Sequence, residues 1–181
     1  MNQRRLIVVG AVGGAALLLA GCANKPLRSA NADGSYCFRV NCKSRRKTCT
    51  PQAVPDIAVD AQAKAFQADA NALTVYVVRK RWADAVNVVE LSVDGRRVAS
   101  TVPNSFVRFK LAPGSHRIAA LWQGESIEQE IAGVDGQLVV VELIGSVWAW
   151  ASNYKLEVGA FESGRLRVQS SRLVADRDLR A

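Results

Sequence analysis

Four cysteines, one histidine, three neighbouring glutamates and two closely spaced tryptophans are the side chains of this 181-residue chain that could do chemistry. Cys22 closes the run Leu19-Ala20-Gly21-Cys22, in which small residues lead into a thiol whose thiolate is nucleophilic enough to take a lipid as a thioether. Cys37, Cys42 and Cys49 follow as C-x4-C-x6-C, enough for one intramolecular disulfide with its pairing open and one thiol left to join a second molecule. Zinc is a poor fit, because no histidine lies nearby and Arg45-Arg46-Lys47 fill the second gap. His116 is the only histidine, which removes most triads and every multi-histidine metal site. Directly after Pro113-Gly114, it reads as a ring that hydrogen-bonds across a turn and fixes its register. Glu128 and Glu130 share one strand face, with Glu125 upstream; they could pair as acid and base, but carboxylates two apart on an exposed strand read as a solvated face. Gly133-Val134-Asp135-Gly136 lacks the ligand series of a calcium loop and reads as a turn. Trp148 and Trp150, two apart, would point the same way in extended backbone. They could stack on a sugar, sit in a membrane interface, bind a protein, or simply close the domain's own core. Trp82, beside Arg79-Lys80-Arg81, is a further candidate anchor. No catalytic, cofactor-binding or metal site emerges from these residues.

The segment that positions Cys22 assigns its chemistry. Arg4 and Arg5 precede residues 6–20, an uncharged run of Leu, Val, Ile, Ala and Gly. At about 15 residues it falls short of the roughly 20 that a permanent membrane helix needs, so it reads as cleavable. The pattern resembles bacterial lipoprotein signal peptides. That resemblance implies a diacylglycerylated Cys22 thiol, cleavage before Cys22 and an acylated new amino terminus. The alternatives are an uncleaved helix or an ordinary secretory signal with an incidental cysteine. Two or three acyl chains, at about 0.8 kcal/mol per buried methylene, hold a protein at a membrane where one chain is marginal. The residues after Arg4-Arg5 fit a twin-arginine signal poorly, which favours the general secretory route. In a Gram-negative envelope, Ala23 in place of an inner-membrane retention aspartate points to the outer membrane, facing the periplasm.

Charge separates a tether from a domain. The chain is formally +8, yet residues 22–50 hold seven basic residues against Asp33 alone, and residues 51–181 are balanced at fifteen of each sign. The basic stretch either lies on anionic headgroups, at about 1 kcal/mol per charge, or is a solvated linker. Nucleic acid is not an expected partner, because export removes the chain from it. The expected division is a signal peptide at 1–21, a basic cysteine-containing tether at 22–55 and a β-sandwich domain at 56–181.

Within that domain, residues 60–71 read as a short helix or lead-in, and residues 73–78 as a β-branched and aromatic strand. Val89, Leu91 and Val93 alternate before Asp94-Gly95, a tight hairpin signal, and residues 97–101 return. Further strands are expected at 107–111, 118–122, 127–131, 138–144 and 154–158, with a short C-terminal helix over 162–173. The pattern predicts a mainly β fold, a small antiparallel β-sandwich or partly open barrel.

Tyr76-Val77-Val78-Arg79, Val93-Asp94-Gly95, the strand at 106–110 and Pro113-Gly114-Ser115-His116 resemble an uncharacterised bacterial lipoprotein family with a PEGA-like β-sandwich, domain of unknown function 2846. The resemblance covers roughly residues 63–173. It implies an envelope lipoprotein and no particular activity. The expectation is a non-enzymatic binding or scaffolding domain without cofactor, held to the membrane through acyl chains on Cys22 and meeting an envelope protein partner. The rival expectations are a carbohydrate- or lipid-binding module using Trp148 and Trp150, and an adapter lipoprotein of a secretion machine.

Overall fold

Residues 73–78 and 138–143 hold more consecutive apolar side chains than a strand with one wet face uses, and the fold buries both faces of the strands they form. The computed structural model describes residues 30–39, 47–80, 87–148 and 151–180, with Lys80, Val147, Trp148 and Ala151 described by backbone alone. The elements are β1 (Cys37–Arg39), β2 (Lys47–Cys49), α1 (Ile57–Ala63), β3 (Leu73–Lys80), β4 (Val89–Val93) and β5 (Arg96–Thr101). There follow β6 (Ser105–Leu111), β7 (Gly114–Trp122), β8 (Glu125–Gly133), β9 (Leu138–Trp148), β10 (Ala151–Val158), α2 (Phe161–Gln169) and β11 (Arg172–Asp178).

Two sheets face each other. One has the order β5-β4-β7-β8 and is antiparallel throughout, as tight hairpins require. The other has the order β10-β9-β3-β6-β11 and is mixed, because β3 runs parallel to β9 and β11 parallel to β6. The fold is the expected small, mainly β sandwich, with one of its sheets not purely antiparallel. Between the sheets, Leu73, Val75 and Val77 of β3 meet Phe109, Leu91 and Ile118, all essentially inaccessible to water. Each such side chain contributes about 1.5–3 kcal/mol by leaving water. The alternate residues Tyr76 and Val78 join Phe106, Val140 and Leu173 on the outer face of the mixed sheet, where Ala63 of α1 and Val168 of α2 cover them. Gly164 makes that cover close-fitting: a Cβ there would lie 2.4 Å from Val140 Cγ1. The outer face of the antiparallel sheet carries exposed Arg97, Arg117, Glu128 and Glu130 instead.

Three readings change. Packing begins before residue 56: Tyr36 belongs to the core between the sheets, Val54 N donates to Gly34 O at 3.0 Å, and a Cys37–Cys49 disulfide closes the β1–β2 hairpin. Tyr36 and Phe38 supply apolar burial that the basic composition of the stretch obscures. The first helix lies earlier than expected, capped by Asp56, whose side chain accepts from Val59 N. The second ends at Gln169, short of residue 173, and Arg172–Asp178 is a strand whose Leu173, Val174 and Ala175 are buried. A short apolar run does not reveal its period. Among the described residues no helix is long and apolar enough to cross a membrane.

Candidate functional site on the open sheet

A grouping of ionisable side chains on the open sheet forms where two turns meet. Asp94 and Gly95, at φ 50° and 78°, make the two-residue connection from β4 to β5, a conformation aspartate and glycine tolerate. Asp94 N donates to Arg117 O at 2.9 Å, and Asp94 Oδ1 accepts from Arg117 N at 2.8 Å, so the turn is stitched to β7 from both ends of the residue. The other oxygen, Oδ2, lies 2.7 Å from His116 Nδ1, and His116 Nε2 lies 2.8 Å from Ala112 O across the Pro113-Gly114 turn. Val93-Asp94-Gly95 and Pro113-Gly114-Ser115-His116, singled out separately in the sequence, are thereby one hydrogen-bonded unit.

Both partners of the ring are oxygens without hydrogens. Both nitrogens must therefore donate, which makes the bound form an imidazolium. Burial pulls the His116 pKa down, but the bonds to Asp94 and to the Ala112 carbonyl outweigh it and hold it above the ordinary imidazole value. Burial likewise opposes the charge of Asp94, and the bonds from His116 and Arg117 N overcome it, holding its carboxyl below the usual range. A ring with both nitrogens donating has no lone pair with which to accept a proton. Ser115, next along β7, faces the other way and donates to Glu130 Oε1 at 2.5 Å, while Arg117 Nε lies 3.4 Å from Glu128 Oε2. Together these groups line a concavity of about 380 Å³. Its chemistry is that of fixed charges and hydrogen-bond donors on a rigid ledge, suited to meeting a polar partner. Glu128 and Glu130 are thus bonded to β7 rather than to each other, and Glu125 sits at the far end of β8, opposite Trp122.

At that far end is a polar network the sequence reading missed. Arg79, in β3 and 2 % exposed, donates from Nη1 to Thr101 O at 2.9 Å and from Nη2 to Tyr154 OH at 3.0 Å. Asn87 Nδ2 donates to Tyr154 OH and Ser152 Oγ, Gln123 Nε2 to Asn87 Oδ1, and Trp122 Nε1 to Ser152 O. An arginine directly after the apolar run Val75-Tyr76-Val77-Val78 was the available signal for it.

The remaining candidates fall as follows. Of the three tether cysteines, Cys37 and Cys49 are paired. Cys42 lies outside the described residues, as do Cys22, Trp82 and Trp150. Trp148 ends β9 directly opposite Ala151 of the antiparallel β10, and because Trp150 lies outside the described residues the paired-indole reading is neither supported nor opposed. The turn expected at residues 133–136 falls at 134–137, with Gln137 N donating to Val134 O at 3.2 Å and Gly133 the last residue of β8. Among the described residues no cluster of three or more histidine, cysteine or carboxylate side chains is arranged to hold a metal. No family model matches the chain, and no curated protein matches it.

Proposed function

We propose that the chain is a lipid-anchored envelope lipoprotein whose β-sandwich is a non-enzymatic binding or scaffolding domain for another envelope protein. The observation that carries this reading is Leu19-Ala20-Gly21-Cys22 at the end of a short apolar run. Two structural facts support it. The Cys37–Cys49 disulfide fits an oxidising compartment outside the cytoplasm. The mixed sheet is covered by α1 and α2, whereas the antiparallel sheet presents Arg97, Arg117, Glu128 and Glu130 to solvent, a charged face for a polar partner.

The intact mass of the purified native protein tests the anchor. The expected species lacks residues 1–21 and gains the mass of a diacylglyceryl group and an acyl chain on Cys22, and Cys22→Ala abolishes the gain. A chain that retains residues 1–21 without lipid refutes the reading. For the scaffold role, crosslinked cells are expected to yield a reproducible envelope partner that Arg117→Glu with Glu128→Arg weakens. Equal capture by a folded variant would move the interface elsewhere.

A further inference from the structure

The β1–β2 hairpin turns its disulfide away from the domain. Phe38 pairs with Thr48, both buried, so by the two-residue period of a strand Cys37, Arg39, Lys47 and Cys49 share the opposite face. The two sulfur-bearing residues are half-buried and the two cations are exposed. Arg39 lies directly opposite Lys47, in register on the same face as the disulfide. Like charges opposed across strands are destabilising, and a cysteine thiolate formed on this face would add to the Asp33 carboxylate beside Lys47 in offsetting them.

A donor is already aimed at one sulfur. The Asn31 side-chain amide donates to Cys37 Sγ at 3.2 Å and to Ser35 Oγ at 2.9 Å. Asn31 is itself fixed by a tight turn, its N donating to Ser35 O at 2.7 Å and its carbonyl accepting from Gly34 N at 2.8 Å. Bridge and amide open onto a concavity of about 550 Å³, lined also by Asp33, Lys47 and Gln52. Contacts other than the bridge also hold the base of the hairpin: Thr50 N donates to Tyr36 O at 2.9 Å, Tyr36 N to Thr50 Oγ1 at 3.0 Å, and Tyr36 is anchored in the core. Opening the S–S bond leaves the two sulfurs facing each other on one rung.

We propose that Cys37–Cys49 is a thiol–disulfide exchange centre whose substrate is a dithiol. One thiolate of the dithiol attacks Cys49 Sγ. A mixed disulfide forms as the Cys37–Cys49 bond breaks, and the electron pair leaves on Cys37 Sγ, where the Asn31 amide and the neighbouring cations receive it. The dithiol's second thiolate then attacks its own sulfur in the mixed disulfide and releases Cys49. The dithiol departs oxidised to a disulfide, and its two protons pass to the two reduced cysteines. The proposal concerns the pair alone: Cys22→Ala, which removes the anchor without leaving a competing thiol, leaves these rates unchanged.

The test uses the full chain carrying Cys42→Ser, reduced at pH 7 without denaturant. Dithiothreitol is expected to open the bridge while far-UV circular dichroism stays native. Glutathione trapping is expected to place the mixed disulfide on Cys49, with Cys37 free for alkylation. Asn31→Ala should slow the reaction about three- to tenfold, as expected for a poorer leaving thiolate, at an unchanged melting temperature. Arg39→Gln with Lys47→Gln should slow it further and flatten its salt dependence. Thioredoxin acting faster than matched dithiothreitol identifies a protein dithiol as the source; equal rates identify a small one. A bridge that opens only after the domain unfolds overturns the proposal, and so does a mixed disulfide on Cys37 with Asn31→Ala at the parent rate.

Discussion

Asp60→Asn is expected to be among the most damaging isosteric changes in the domain. Asp60 and Arg172 are 4 % and 0 % exposed in their side chains, with Arg172 Nη1 3.0 Å from Asp60 Oδ1. Lys64 Nζ lies 2.6 Å from Asp60 Oδ2 and is only 13 % exposed. One carboxylate therefore balances two cations while also accepting from Leu173 N at 2.7 Å, which pins α1 to the start of β11. Burial pulls the Lys64 ammonium below its ordinary value; Asp60 opposes that pull and Arg172 adds to it. The asparagine keeps the shape and removes the charge, leaving two buried cations uncompensated. Breaking a buried pair in this way costs about 3–5 kcal/mol. For a domain of this size that is a fall in melting temperature of about 10 °C. Lys64→Met in the parent should cost only about 1 kcal/mol, because the stem packing survives and Asp60–Arg172 stays neutral as a pair. In the Asp60→Asn background the same change removes one of the two orphaned cations, so its sign reverses and stability is regained. A lysine whose folded pKa lies below its unfolded one gives stability that rises with pH between the two, so Asp60→Asn also recovers partly in alkali. Urea unfolding of the four proteins in this cycle reads these values directly. Additive effects, with Lys64→Met equally costly in both backgrounds, would refute the argument that charge balance holds this site.

His116 gives the second prediction: its folded pKa is raised, so its stabilisation is complete below the unfolded value of about 6.5 and is lost as pH rises through the folded value. The single imidazole makes NMR titration unambiguous, and Asp94→Asn should return its midpoint toward the unfolded value; a parent midpoint at or below 6.5 would contradict the doubly donating ring. Gly164→Ala should destabilise by about 1–3 kcal/mol from overpacking against Val140, despite a gain of about 1 kcal/mol in helix propensity. Adding Val140→Ala should relieve the crowding in thermal melts, and an unrelieved loss would place the cause elsewhere.

The strands were legible where apolar and polar residues alternate. Val89, Leu91 and Val93 alternate cleanly, and Asp94-Gly95 requires a hairpin, so β4 and β5 follow from residue types alone. The parallel pairing of β3 with β9 was not, since nothing local distinguishes a strand buried on both faces by helices from one packed in an antiparallel sandwich. β11 was hidden for a related reason. Its Leu173-Val174-Ala175 run is too short to show a period, and it became a strand because β6 offered it a parallel edge and Asp60 a partner for Arg172.

The candidate site divides along the same line between local and long-range information. A histidine after Pro-Gly predicts a bond across its own turn, and His116 Nε2 makes it with Ala112 O. That the second nitrogen would find Asp94, 22 residues away, depends on β4 pairing with β7, which sequence alignment within one hairpin does not encode. The disulfide follows the opposite course. Composition offered three pairings of equal standing, and strand register selects one, because Cys37 and Cys49 oppose each other while Phe38 and Tyr36 commit the hairpin to the core. The same register sets Arg39 against Lys47 beside the bridge. A basic stretch that looked like a feature of the whole tether is thereby concentrated, in part, on the one face where a thiolate would need it.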